Sequence, residues 1–220
     1  MADYKELKKI SLSLLDKISS NLGSTNIKST FHSKHIDKYI TNEELLFKTK
    51  NRTVDALIFD NLDKVRKDKL NSIRALCREY VDESLASQMP TKYLRFFLRN
   101  KLKYLSEIYG IGNCEELATQ VFMLWCANYS GIYKDVCMAY FDMSDKYKFE
   151  SQGLNPQDID HIFVIIGYQE YGQNAIIIDP WLNKIYTLKE LNGNIKYNIF
   201  NVPSSEIVIK IKFSLHDFIL

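Results

Sequence analysis

The chain changes its hydrophobic pattern near its middle, and this change limits the folds that it can adopt. Before residue 132 the apolar residues recur mainly at helical spacing. From residue 132 onward, short runs rich in Ile and Val are separated by turn-forming residues, which is typical of strands. Helices that precede a group of strands predict an α+β fold with N-terminal helices and a C-terminal antiparallel sheet.

The expected elements follow from these two patterns. We expect helices over residues 4–22, 54–86 (as one helix or two) and 93–104, another helix after Asn113, and a short helical turn at 188–191. We expect strands over residues 136–141, 161–167 and 174–179, at about 195–202, and over 206–213. The polar segment 24–41 is expected to be a linker, and Met89-Pro90 interrupts the helical pattern.

The segment Gly112-Asn113-Cys114 opens an apolar helix. One face of this helix carries Cys114 together with Ala118, Val121, Phe122 and Trp125. In the first turn of a helix, the positive end of the helix dipole favours a thiolate over a thiol. Glu115 and Glu116 oppose that effect if they point toward the sulfur, and the sequence leaves their direction open.

A hairpin is expected from the two apolar runs at 161–167 and 174–179. If its turn centres on Glu170, His161 lies directly opposite Asp179, with the two side chains roughly 5 Å apart on one face. Asp160 is the rival partner for the histidine, but neighbours on a strand point to opposite faces. We therefore expect Asp179 to bind His161.

Cysteine, histidine and aspartate in this order form a nucleophile, a base and an orienting group. The imidazole of His161 takes the proton of Cys114 and later gives it to the leaving amine. Asp179 fixes the tautomer of the imidazole and stabilises its charged form. Taken singly, each residue has an ordinary structural interpretation, as a buried thiol, a strand-end histidine and a turn residue. Together they predict a thiol acyl-transfer enzyme that needs no cofactor and no metal.

The motifs Gly-Asn-Cys-x-x-x-Ala, Asp-His-x-Phe-Val-Ile and Asp-Pro-Trp resemble those of the papain-like superfamily, in its transglutaminase-like branch. The spacing is most similar to that of bacterial toxin and effector deamidases, over about residues 105–185. The resemblance implies a Cys114–His161–Asp179 triad that converts a glutamine of a host protein to glutamate. With it we expect a helical N-terminal region over 1–90 and a papain-like catalytic domain over 91–220.

Other functions remain open from the sequence. The same thiol could serve a cysteine protease or isopeptidase, a transglutaminase, or only a vestigial triad in a non-catalytic binding module. Papain-type proteases carry an oxyanion-hole glutamine six residues before the nucleophile, and Ile108 stands there, which weakens the protease interpretation. Trp181 is expected either to shield the triad or to pack in the core.

Composition limits the partners. The net charge of +2 argues against a nucleic-acid binder, and the basic run at 64–69 is expected to be a solvated face. No apolar stretch approaches the roughly 20 residues that span a bilayer, so we expect a protein partner and no transmembrane segment. The four cysteines have no disulfide or metal spacing, and metal binding at His32 and His35 is disfavoured. We expect reduced thiols and a cytosolic site of action, which a bacterial effector would reach through specialised secretion.

Overall fold

The computed structural model describes residues 3–21, 68, 70–77, 90–109, 112–142, 150–151, 161–193 and 209–217. The longer helices are α1 (Tyr4–Asn21), α2 (Thr91–Tyr109) and α3 (Cys114–Asn128). The helices predicted at 4–22 and after Asn113 are confirmed, and the one predicted at 93–104 extends further at both ends. Of the predicted helix 54–86, residues 68 and 70–77 are described, and they are helical. The predicted linker 24–41 lies outside the described residues.

The strands form one antiparallel sheet, so the predicted α+β fold is confirmed. In chain order they are β1 (Val136–Phe141), β2 (Ile162–Ile166), β3 (Ile176–Asp179), β4 (Lys184–Thr187) and β5 (Ile209–Ser214). Their order across the sheet is β4-β3-β2-β1-β5. Strand β4 is not among the strands expected from the sequence, and the strand predicted at about 195–202 lies outside the described residues.

Short helical segments connect the strands. Helix α4 (Tyr168–Tyr171) and a 3-10 turn (Gly172–Asn174) join β2 to β3. Helix α5 (Leu188–Gly193) follows β4 and confirms the helical turn predicted at 188–191. A second 3-10 turn, Leu215–Asp217, follows β5.

The register of the β2–β3 hairpin differs from the prediction by two residues. Val164 pairs with Ile178 and Ile166 with Ile176, so the turn centres on Tyr171 rather than on Glu170. The helical turn α4 and the 3-10 turn after it make the connection longer than a tight hairpin loop, which moves the centre. A shift of two keeps every side chain on its predicted face. His161 and Asp179 therefore share a face as diagonal neighbours rather than as a directly opposed pair.

Helix α3 lies at the centre of the fold and packs against the sheet, α1 and α2, while α1 also contacts β3 and β4. The α3 residues from Glu116 to Trp125 are all buried, including the polar Glu116, Thr119 and Gln120, whose burial the apolar pattern does not predict. The sheet supplies the facing layer, in which every residue of β2 and β3 is buried. The central position of α3 holds its first residue, Cys114, at one end of the sheet.

Helix α1 belongs to the same core. Its residues Leu7, Leu14, Leu15 and Ile18 are buried with α3 and the strands. Each such side chain contributes about 1.5–3 kcal/mol when fully buried, so α1 is a large part of the stability of a domain this size. A second, smaller cluster joins residues 70–77 to α2 through Leu70, Ile73, Cys77, Leu102 and Leu105. The boundary at residue 90 stays a prediction.

Candidate active site

The start of α3 is fixed by local contacts that place Cys114 at its first position. Asn113 has the extended backbone of an N-cap residue (φ −101°, ψ −170°), and its N–H donates to Glu116 Oε2 at 2.9 Å. A Cβ on Gly112 would lie 3.2 Å from the Glu116 Cβ and 3.3 Å from the Leu117 side chain, so a larger residue would crowd this turn. Cys114 itself is half-buried, and all four cysteines of the chain are free thiols.

The acidic residues after Cys114 are both paired with cations. Glu115 accepts from Arg99 Nη1 at 2.7 Å and from Lys212 Nζ at 2.8 Å. Burial would raise the pKa of the Glu115 carboxyl, but these two cations lower it to about 2. Glu116 is fully buried and accepts from Arg74 Nε at 2.8 Å. Neighbouring cations therefore offset the negative charges of both Glu115 and Glu116, which limits how far these residues oppose a thiolate at Cys114.

His161 lies just before β2 and is 1% exposed. The Phe141 N–H donates to its carbonyl at 3.4 Å, which ties its backbone to the end of β1. Its ring lies among aromatic rings, with centroids 5.0 Å from Trp181, 5.8 Å from Phe163 and 6.2 Å from Phe141. Trp181 is thus both a core residue and a cover for the imidazole, which combines the two predicted roles.

The imidazole connects the cysteine to the aspartate. His161 Nε2 lies 2.7 Å from Asp179 Oδ2, and the Cys114 sulfur is near enough to the His161 ring to raise the pKa of the imidazole. Because Asp179 engages Nε2, Nδ1 is the ring nitrogen that remains for the sulfur. Burial lowers the pKa of His161, but the Asp179 carboxylate, the hydrogen bond to it and the Cys114 sulfur raise it to about 10. The three predicted side chains are therefore brought together in the predicted order.

Asp179 closes β3 and is fully buried. Besides His161, it accepts from the Tyr186 hydroxyl at 2.9 Å and from the Leu182 N–H at 3.0 Å. A buried carboxylate needs such donors to remain charged. Burial and the neighbouring Asp179 charge raise the pKa of the Tyr186 hydroxyl well above its ordinary value, so that hydroxyl stays a donor.

Tyr186 is the residue that the sequence analysis missed, because it missed β4. This strand pairs with β3, with Asp179 opposite Lys184, so Tyr186 is a diagonal neighbour on the face of Asp179. A signal was present in the turn between the two strands. Pro180 follows Asp179, and Asn183 adopts the left-handed conformation (φ 54°) that asparagine tolerates better than most residues. A tight turn after Asp179 would have predicted a returning strand with Tyr186 beside the carboxylate.

The remaining sequence predictions concern the oxyanion hole, the rival aspartate and metal binding. Ile108 is 58% exposed on α2, and its aliphatic side chain cannot donate to an oxyanion. The backbone N–H of Cys114, in the first turn of α3, is one of the helix N–H groups without an intrahelical acceptor and can do so. Asp160, His32 and His35 lie outside the described residues. Among the described residues, no group of three or more His, Cys, Asp or Glu side chains is placed to hold a metal ion.

No protein-family model, curated protein or solved structure matches this chain. Over the described ranges, none of the helices has the length and apolar character required to cross a membrane. The functional argument for this chain consequently rests on the geometry around Cys114, His161 and Asp179.

Proposed function

We propose that the protein is a thiol-dependent hydrolase that deamidates a glutamine side chain of a partner protein. One observation carries the proposal: a buried imidazole that is hydrogen-bonded to Asp179, at 2.7 Å, and lies within electrostatic reach of the half-buried thiol of Cys114. A structural histidine needs neither a thiol partner nor a carboxylate held by two further donors. That combination is typical of nucleophilic catalysis.

The reaction would proceed through a thioester. The Cys114 thiolate attacks the carboxamide carbon of the glutamine, and the Cys114 N–H stabilises the resulting oxyanion. The His161 imidazolium gives its proton to the departing nitrogen, so ammonia leaves and a thioester remains. His161 then takes a proton from water as the water attacks the thioester, and the products are glutamate and the free thiol.

The same proposal includes the fold superfamily of the protein and the biological context in which it acts. A nucleophile at the start of a buried helix, with its base and orienting residue on an antiparallel sheet, supports the papain-like, transglutaminase-like arrangement that the motifs resemble. Following that resemblance, we propose a bacterial effector or toxin that acts on a host protein in a reducing cytosol after specialised secretion. The exposed Ile108, at the position of the protease glutamine, favours deamidation over proteolysis.

Incubating the protein with a cell lysate, beside a Cys114→Ala control, tests the reaction. Mass mapping should find glutamine-to-glutamate conversion in one or a few proteins, only with the wild-type thiol. New protein fragments would indicate a protease instead, and amine incorporation into glutamine would indicate a transglutaminase, since the two differ only in what resolves the thioester. If lysates treated with the wild-type protein and with Cys114→Ala show no difference, the proposal is overturned and a non-catalytic binding module is the interpretation that remains.

A further inference from the structure

A cavity of about 240 Å³ opens beside the first turn of α3, between residues 70–77 and α2. Three arginines line it, Arg74, Arg95 and Arg99, and we call it the arginine pocket. Glu115 and Glu116, the two residues that follow Cys114, also contribute to its wall. None of the triad side chains lines it, so the pocket adjoins the candidate active site without being part of it.

Among the described residues, cations outnumber carboxylates around the arginine pocket. Glu115 and Glu116 are already bound by Arg99, Lys212 and Arg74. Arg95 is exposed, and within the described part of the chain it forms no hydrogen bond and no ion pair. Of the described residues, four cations (Arg74, Arg95 and Arg99 in the pocket wall and Lys212 beside it) therefore accompany the two carboxylates.

Within the described part of the chain, Arg74 and Arg95 also have hydrogen-bond donors that are not engaged. Among the described residues, Arg74 engages Glu116 through Nε, which leaves the N–H groups of its two terminal nitrogens. Burial lowers the pKa of Arg74, but Glu116, Glu115 and the Cys114 sulfur raise it, so this guanidinium lies within electrostatic reach of the nucleophile. A ligand held by Arg74 and Arg95 would thus be anchored close to Cys114.

The size of the arginine pocket selects the kind of ligand. Sites for drug-sized molecules and cofactors enclose about 300–1,000 Å³, and this cavity falls below that range. It suits a single side chain presented by a larger partner. Guanidinium groups bind planar carboxylates with paired, charge-assisted hydrogen bonds. The apolar part of the wall, which includes Leu98 and Leu102, can pack against the methylene groups of such a side chain.

We propose that the arginine pocket binds an aspartate or glutamate side chain of the protein substrate, near the glutamine that is modified. This inference rests on the proposed function for the identity of the modified residue. It makes the pocket the specificity element of the enzyme: an acidic residue docks beside α3 while the target glutamine reaches Cys114. The substrate class is therefore a protein segment in which a glutamine has an acidic neighbour.

A scan of glutamine peptides tests this pairing of charges. In each peptide one position around the glutamine carries Glu, Gln or Lys, and ammonia release gives kcat/KM. We expect Glu at one position to raise kcat/KM about ten-fold over Gln, as one charge-assisted hydrogen bond would. Arg95→Gln should weaken the preference, and Arg95→Glu should abolish it. Lys8→Glu, a charge reversal on an exposed position of α1, is the matched control and should keep the wild-type preference.

Binding separates failure of the pocket from failure of the reaction. Fluorescently labelled peptides are titrated with Cys114→Ala, with and without Arg95→Glu, and the melting temperature of each variant checks its fold. If no peptide is deamidated but Cys114→Ala still prefers the Glu peptide and Arg95→Glu abolishes that preference, the pocket stands and the reaction is wrong. Deamidation without any charge preference overturns the pocket alone. If the protein binds inorganic phosphate but shows no preference for the Glu peptide, an acidic side chain is not the ligand of the pocket and the proposal is overturned.

Discussion

The two sides of the candidate site are built in different ways. On the sheet side, His161 and Asp179 are buried, and Asp179 accepts from three donors, including Tyr186. On the helix side, Cys114 is half-buried, and ion pairs at Glu115 and Glu116 govern its surroundings. A buried hydrogen-bond network fixes the positions of its side chains. Partly exposed ion pairs instead change the local electrostatic potential and leave the thiol accessible to a partner.

This difference assigns separate tasks to the two sides. The sheet side is pre-organised, so it should tolerate little change and should control how well the proton is transferred. The helix side presents the thiol and the arginine pocket to a partner, so its changes should act on reactivity and recognition.

The largest expected effect follows from Asp179→Asn. The amide can no longer accept from His161, Tyr186 and Leu182 together, and the imidazole loses the partner that selects its tautomer. We expect kcat/KM for glutamine deamidation to fall by about 10³–10⁴-fold, as expected for loss of a triad aspartate. Steady-state ammonia release measures this effect, and circular dichroism should find the fold retained.

The matched control for Asp179→Asn is Asp135→Asn. Asp135 accepts the N–H groups of Gln169 and Glu170 at 2.7 and 3.2 Å, at the far end of the β2–β3 hairpin. Its loss should cost about 1 kcal/mol of stability per hydrogen bond with near-normal activity. Equal losses of activity in both variants would mean that Asp179 acts only through the fold.

Most of the sheet side can be predicted from the sequence, because the alternation of side chains along a strand fixes which face each residue is on even when the register is wrong by two. The Ile-rich runs define β2 and β3, and period-two alternation places His161 and Asp179 on one face even though the register moves by two residues. The loop conformation is not predictable in the same way. It depends on α4, where Asp135 and Tyr133 from a distant segment bind the backbone of Gln169 and the side chain of Glu170.

On the helix side, Cys114 should be the most reactive thiol. Burial raises the pKa of Cys126 and of Cys137 to about 12, and it also raises that of Cys77. Cys114 is more accessible than Cys77 and Cys137, and it has an imidazole partner. We expect iodoacetamide at pH 7 to label Cys114 at least about 100-fold faster than the others, as followed by peptide mass. Similar rates for all four would contradict an activated thiol, and His161→Ala should slow only Cys114.

The ion pairs near Cys114 could not be predicted from the sequence. Arg74, Arg99 and Lys212 come from three separate segments, and only the packing of residues 70–77, α2 and β5 around the start of α3 brings them to Glu115 and Glu116. A charge on a predicted helix face carries no information about its distant partner. The same holds for α1, whose amphipathic pattern predicts a helix but does not identify α3 and the sheet as its packing partners.

The His161–Asp179 pair should also make stability depend on pH. The pKa of His161 is raised from 6.5 to about 10, so its stabilising contribution is complete below pH 6.5 and is lost as pH rises toward 10. We expect the free energy of unfolding to fall by up to about 1.4 kcal/mol per pH unit between pH 7 and 9. Urea unfolding at several pH values measures this slope. In Asp179→Asn the slope should vanish, because burial alone lowers the pKa of His161; an unchanged slope would assign it to other groups.

The smallest expected effect follows from Tyr186→Phe, which tests one hydrogen bond of the sheet side. Tyr186→Phe removes one of three donors from Asp179 and leaves His161 Nε2 and the Leu182 N–H in place. We expect kcat/KM to fall about ten-fold, the usual result of losing one hydrogen bond to a charged group. With fewer donors the carboxylate attracts the imidazolium more strongly, so the alkaline limb of the pH–rate profile should move to higher pH. Tyr133→Phe loses a comparable bond, to Glu170 at 2.7 Å, and should lower stability without moving that limb. If both variants lose stability and neither shifts the limb, Tyr186 supports the fold but does not position Asp179 for catalysis.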